Sequence, residues 1–91
     1  MEYIIDGLRM TSIRKTHRYL KRALHLPSYY GKNLDALNDC LGDFGSDTWI
    51  ILINGDCMDA ALGEYAERLR TVFLHASSGP HSYKFIECRS K

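Results

Sequence analysis

Ninety-one residues support one domain, spanning 1–91. At this size about 60–65% of the unfolded chain's surface can be buried, and 45% hydrophobic with 25% charged residues is the composition of a folded globular chain, not a disordered one. The formal net charge of +1 conceals a segregation. Arg9, Arg14, Lys15, Arg18, Lys21 and Arg22 fall between Arg9 and His25, where there is no acid. Asp35, Asp39, Asp43, Asp47, Asp56, Asp59, Glu64 and Glu67 fall between Asn33 and Glu67, where there is no base. So small a fold must carry two oppositely charged faces, and such fields steer charged partners.

The opening Met1-Glu2-Tyr3-Ile4-Ile5-Asp6 is too short and too acidic for a secretory segment. No apolar run approaches the roughly 20 residues of a membrane span, so a cytoplasmic protein without a membrane partner is expected. Cys40, Cys57 and Cys88 form no C-x-x-C pair and read as reduced, small hydrophobic side chains. With no close cluster of cysteine and histidine, neither metal nor cofactor is expected.

In chain order, Glu2–Ile5 is β-prone and stops at the turn signal Asp6-Gly7. Thr11 or Ser12 can cap a helix carrying the apolar stripe Ile13, His17, Leu20 and Leu24, which Pro27 ends. His17 lies on that stripe and reads as a packed, hydrogen-bonded histidine. Residues 26–33 form a loop with two adjacent tyrosines, of which Tyr30 is the one expected to pack. Asn33 can cap a second helix running to Leu41 or Gly42. At about 100° per residue, Leu34, Leu37 and Leu41 cluster within about 60°, and Asp35, Asp39 and Gly42 lie about 130° away. The acids must face outward when the leucines face the core. Cys40 falls near the back edge of this helix.

Thr48–Ile53 is continuously apolar, which suggests a strand buried on both faces, as in parallel sheets. Asn54-Gly55 then marks a turn, and no strand-like run follows that would make it a hairpin. Asp56 or Asp59 can start the next helical stretch. Leu62, Ala66, Leu69, Phe73 and Ala76 form the longest stripe, with Gly63 separating a short helix from a long one. Ser77-Ser78-Gly79-Pro80 stops it, and Tyr83–Glu87 is the last strand. Strands joined by helical crossovers pair in parallel, giving a small α/β layer structure with three strands.

The segment Leu26–Leu41, LPSYYGKNLDALNDCL, resembles the signature loop and second helix of the barstar family of intracellular ribonuclease inhibitors. Ile4–Gly7, Ser12-Ile13, His17, Leu20, Leu24, the Val72-Phe73 pair and the final strand also fit, so the likeness covers nearly the whole chain. It implies a three-stranded parallel sheet packed by about four helices. It also implies a tight-binding inhibitor with no catalytic activity, whose partner is a secreted or toxin ribonuclease. Asp39 is assigned by it to the nuclease's phosphate pocket and Asp35 to the edge of a guanine-type base site. Tyr29 would supply an aromatic anchor, and Tyr30, Gly31, Asn33, Leu34, Asn38 and Gly42 the surrounding patch. Phe44 stands where the family often has a tryptophan. Two departures bear on partner choice: Asn38 replaces the tryptophan of the best-known member, and His75 a glutamate that reaches the nuclease there.

The chemistry of this assignment follows from charge. A ribonuclease site binds phosphate through Arg, Lys and His, and carboxylates offered in its place make charge-assisted hydrogen bonds to the same groups. Asp35 and Asp39, at i and i+4, set two carboxylates about 6 Å apart. As an alternative, Arg14, Lys15, Arg18, Lys21 and Arg22 fall within about 120° on helix 14–22 and form a possible nucleic-acid face. Solvated charge opposite the leucine stripe is the simpler account of it. An enzyme is not expected. No histidine is close in sequence to Asp35 and Asp39, and no phosphate-loop or metal motif appears.

Overall fold

A computed structural model describes residues 1–88. Strand β1 (Glu2–Asp6) leads through a 3-10 turn (Gly7–Arg9) to α1 (Ile13–Ala23), and α2 is Leu34–Leu41. Strand β2 (Trp49–Ile53) is followed by α3 (Gly55–Leu62), α4 (Glu64–Ala76) and β3 (Lys84–Glu87). All pairing is parallel, in the order β1-β2-β3, with Ile5 beside Leu52 and Leu52 beside Glu87. The expected α/β class, strand number and helix number are therefore those found. Parallel strands need long connections, and the helices supply them.

The core lies on one face of the sheet. Ile5, Ile50 and Leu52 point into it and join Leu20 and Leu24 of the α1 end, Leu37 and Leu41 of α2, and Leu69 and Phe73 of α4. Tyr83, just ahead of β3, is fully buried and donates its hydroxyl to the Phe73 carbonyl at 2.6 Å. Arg70 of α4 ties the sheet's end to the helices, through Nε to Glu87 Oε1 at 2.8 Å and Nη1 to Asp59 Oδ1 at 3.0 Å. Those hydrogen bonds raise its guanidinium pKa still further above the ordinary arginine value, against the opposing effect of burial.

Three expectations are corrected. The strand 49–53 is not buried on both faces: Ile50 and Leu52 are buried, and Trp49, Ile51 and Ile53 are only partly so. On that second face, Ile4 (57% exposed) and Ile86 (40%) flank Ile51 in register, so the molecule has two layers. Ile13 is not on the buried stripe of α1. It is 48% exposed, and Thr16 is buried in the same helix. Nothing covers the leading apolar residue of α1, and burial on this helix begins at Thr16. Finally, α3 begins at Gly55, ahead of both Asp56 and Asp59. Asn54 takes the left-handed conformation (φ 54°) and spends its side chain on Asp6, with Nδ2 to Oδ1 at 2.9 Å. It turns the chain directly into the helix.

Gly7 is the tightest point of this crossing. A Cβ there would lie 2.0 Å from the Asn54 carbonyl oxygen and 3.2 Å from Met58 Cβ. Both obstacles belong to packed elements, so backbone must move. Gly7→Ala is expected to destabilise the fold by about 2 kcal/mol, lowering the melting temperature by about 8–16 °C. Thermal unfolding followed by circular dichroism checks this, and an unchanged melting point would contradict it.

Candidate functional site

The acidic face is built on α2 and the loop before it. Asn33 starts the helix as expected: its Oδ1 accepts from the Ala36 amide at 2.8 Å, and its Nδ2 reaches back to the Gly31 carbonyl at 3.3 Å. One side chain thus caps the helix and fixes the loop's exit. Leu37 and Leu41 are fully buried and Leu34 is partly buried. That leaves Asp35, Asn38, Asp39 and Gly42 exposed together with Gly31, Lys32 and Asn33. Tyr29 stands clear of the loop at 84% exposure, an unusual state for a large aromatic side chain. Neither Asp35 nor Asp39 makes an ion pair among the described residues, and both lie in a stretch without bases.

Tyr30, placed in the same patch by sequence, lies under it at 5% exposure. Its hydroxyl is 2.6 Å from Nδ1 of the buried His17, whose Nε2 is 2.5 Å from the Tyr65 hydroxyl. A neutral imidazole donates through one nitrogen and accepts at the other, so it serves both tyrosines, accepting from one and donating to the other. Burial lowers the His17 pKa below 6.5 and keeps that neutral form. Burial likewise raises the pKa of both tyrosines, with Tyr65 adding to the effect at Tyr30. The expectation that Tyr30 packs and that His17 is hydrogen-bonded agrees with this. Tyr65 went unread, because a tyrosine one position before Ala66 falls off the apolar stripe of α4.

Phe44 also supports from beneath, half-buried and edge-on to Tyr3 (centroids 5.4 Å apart) and Tyr83 (6.2 Å). His75 is exposed in the last turn of α4, the helix that packs against α2, and so comes from a different element than the rest. Cys40 packs at the core's margin, where burial raises its thiol pKa and the nearby Asp43 and Asp39 add to that. Among the described residues no group of three or more His, Cys, Asp or Glu could hold a metal ion. No helix there is long and apolar enough to cross a membrane.

The His17 site makes stability pH-dependent. Below pH 6.5 the unfolded imidazole takes up a proton that native His17 resists, so stability is lost as pH falls from about 6.5 towards the lowered native value. The unfolding free energy is expected to drop between about pH 7 and pH 5.5, by at most about 1.4 kcal/mol per pH unit. Urea titrations at the two values measure it. His17→Gln should be less stable at both and show a smaller difference between them; an equal difference in the variant would assign the effect elsewhere.

Comparison with known proteins bears on what this face meets. The family model described as Barstar (barnase inhibitor) matches residues 1–85. A protein of Bacillus subtilis (strain 168) named "Putative ribonuclease inhibitor YrdF" is 40% identical over 74 residues, covering 80% of this chain and 81% of that protein.

Proposed function

Because the chain belongs to the barstar family, matched over residues 1–85, we propose that it inhibits a ribonuclease by seating α2 and Tyr29 in the enzyme's active-site cleft. The observation that carries this reading is the pair Asp35 and Asp39. Both are exposed, without an ion-pair partner among the described residues, one helical turn apart, on the helix that follows the loop bearing the exposed Tyr29. Their carboxylates take the positions of two RNA phosphates against the cationic cleft. No phosphodiester is offered, so the inhibitor occupies the site and is not cut. Asp39 enters the phosphate pocket and Asp35 meets the edge of the base site. Tyr29, an aromatic anchor that orders few rotatable bonds on binding, covers the rim. The carboxylates are borne on a capped helix whose leucines are locked in the core, so little conformational entropy is lost when the enzyme arrives.

Asn38 and His75 shape the choice of enzyme. Asn38 offers an amide where a large ring would bury apolar area, and His75 places a weak base at the end of α4. The cognate nuclease therefore has a polar wall opposite Asn38 and few arginines opposite His75. It is a small basic protein, either secreted by the cell that makes this inhibitor or delivered as a toxin domain by a competitor. Inhibition takes place in the cytosol.

Removing one carboxylate leaves the enzyme's cations buried against nothing, at about 3–5 kcal/mol, or about 150- to 5,000-fold in inhibition constant. Asp39→Ala is expected to show such a loss against a nuclease captured with the wild-type protein from its host. The double variant Asp35→Ala with Asp39→Ala should capture no nuclease. Undiminished capture and inhibition by the double variant would overturn the mechanism.

A further inference from the structure

The bases of α1 do more than coat a helix. Arg18, Lys21 and Arg22 join His25, Leu26 and Lys32 to wall an open cavity of about 570 Å³. The space is open to solvent, so a ligand there would be held by the charges that line it and not by enclosure. Four permanent cations and an imidazole face this space, and no carboxylate lines it. Both ion pairs found among the described residues belong to Arg70, so none of these four cations is neutralised in that way. Like charges gathered around one cavity repel one another, and a bound anion relieves that repulsion.

The backbone points to the same place. Among the described residues, three that are not glycine have positive φ, and two of them, His25 (φ 54°) and Lys32 (φ 58°), line this cavity. His25 occupies the left-handed position that ends α1. The Leu26 amide bonds the Lys21 carbonyl at 2.9 Å and the His25 amide bonds the Arg22 carbonyl at 3.3 Å, an arrangement that glycine ordinarily completes. A histidine held there puts an imidazole on the cavity wall in a conformation L-residues seldom adopt. Lys21 is pinned as well, with Nζ 3.3 Å from the Ser28 carbonyl.

Cations near a helix C-terminus also complement its dipole, which is the simplest explanation for Lys21 and Arg22. The dipole amounts to only about half a negative charge and acts within the last turn. It accounts for neither Lys32, on a separate loop, nor four cations together. We propose that this cavity binds adjacent phosphate groups, presented by a nucleotide polyphosphate or by the backbone of an RNA strand. The guanidinium forks of Arg18 and Arg22 suit phosphate oxygens, and Lys21 and Lys32 supply point charges from either side. Neither Asp35 nor Asp39 lines this cavity, and the proposal does not depend on how that face is used.

Titration of the full chain with inorganic triphosphate at low salt tests it, read by calorimetry and by amide chemical shifts. Saturable binding should move the signals of Arg18, Arg22, His25 and Lys32 most. Arg18→Gln with Arg22→Gln should weaken it by about tenfold or more, with no fall in melting temperature, since the two substitutions relieve repulsion between like charges. Arg14→Gln with Lys84→Gln removes the same charge outside the cavity and should weaken it by less than about threefold. Competition separates the sources: displacement of triphosphate by a short oligoribonucleotide assigns the site to a strand, and displacement by ATP alone assigns it to a nucleotide. No saturable binding of any of these, or equal losses in the two double variants, would overturn the proposal.

Discussion

His17 is where three elements of this molecule are tied together. It projects from α1, and its two nitrogens hold Tyr30 of the loop and Tyr65 of α4. The loop between Pro27 and Asn33 contains no regular structure, so its position depends on what it is fastened to. The Tyr30 hydroxyl is the inner fastening, and the Asn33 cap is the outer one. Tyr29, one residue ahead of the inner fastening, is left at the surface, and the Asn33 cap sets α2 at a fixed start. A buried polar cluster of this kind stabilises only while every member is satisfied, and none of its buried side-chain polar atoms lacks a partner among the described residues. Neutrality of His17 is part of that arrangement, since a charged imidazole could not accept from a hydroxyl.

Much of the fold was legible because it rests on local rules. The stripe Leu20, Leu24 in α1, the leucines of α2, and Leu69 and Phe73 in α4 are all buried where their spacing put them. Ser12 and Asn33 cap as their side chains allow, with the Lys15 amide 3.1 Å from the Ser12 hydroxyl. The failures are of another kind. Ile13 continues the stripe perfectly well, yet whether sheet or solvent lies beneath a helix's first turn depends on tertiary placement. Trp49, Ile51 and Ile53 are apolar enough for an interior strand, and no property of the strand itself says that helices cover only one side. At Asn54 a left-handed residue turned the chain into α3 two positions before Asp56 and five before Asp59, the acids expected to start that helix.

The acidic face was readable for the same reason as the core, since the angle between Asp35, Asp39 and the leucines follows from helical period. What periodicity could not convey is contact across sequence distance. Tyr65 is 48 residues from His17 and Glu87 is 17 from Arg70, so neither partnership has a local signature. The basic cavity shows the limit most clearly. A helical wheel gathers Arg18, Lys21 and Arg22, but Lys32 joins them only because the loop turns back, and His25 only because α1 ends in a left-handed residue.

The loop 26–33 therefore serves both charged faces. Tyr29 is exposed in the segment that leads into α2 and its carboxylates, and Lys32, three residues later, lines the cationic cavity. Lys21 bonds the Ser28 carbonyl, so a side chain of the basic helix also braces the segment that carries Tyr29. Segregated charge has a cost, because like charges repel, and a small protein gains nothing in stability from keeping its acids and bases apart. Interleaved, they would pair; here the ion pairs among the described residues are confined to Arg70, midway along α4, with Asp59 of α3 and Glu87 of β3. A surface arranged against its own electrostatic interest is best understood as one built for partners, with the hydrogen bonds to His17, Asn33 and Lys21 holding the two fields in place.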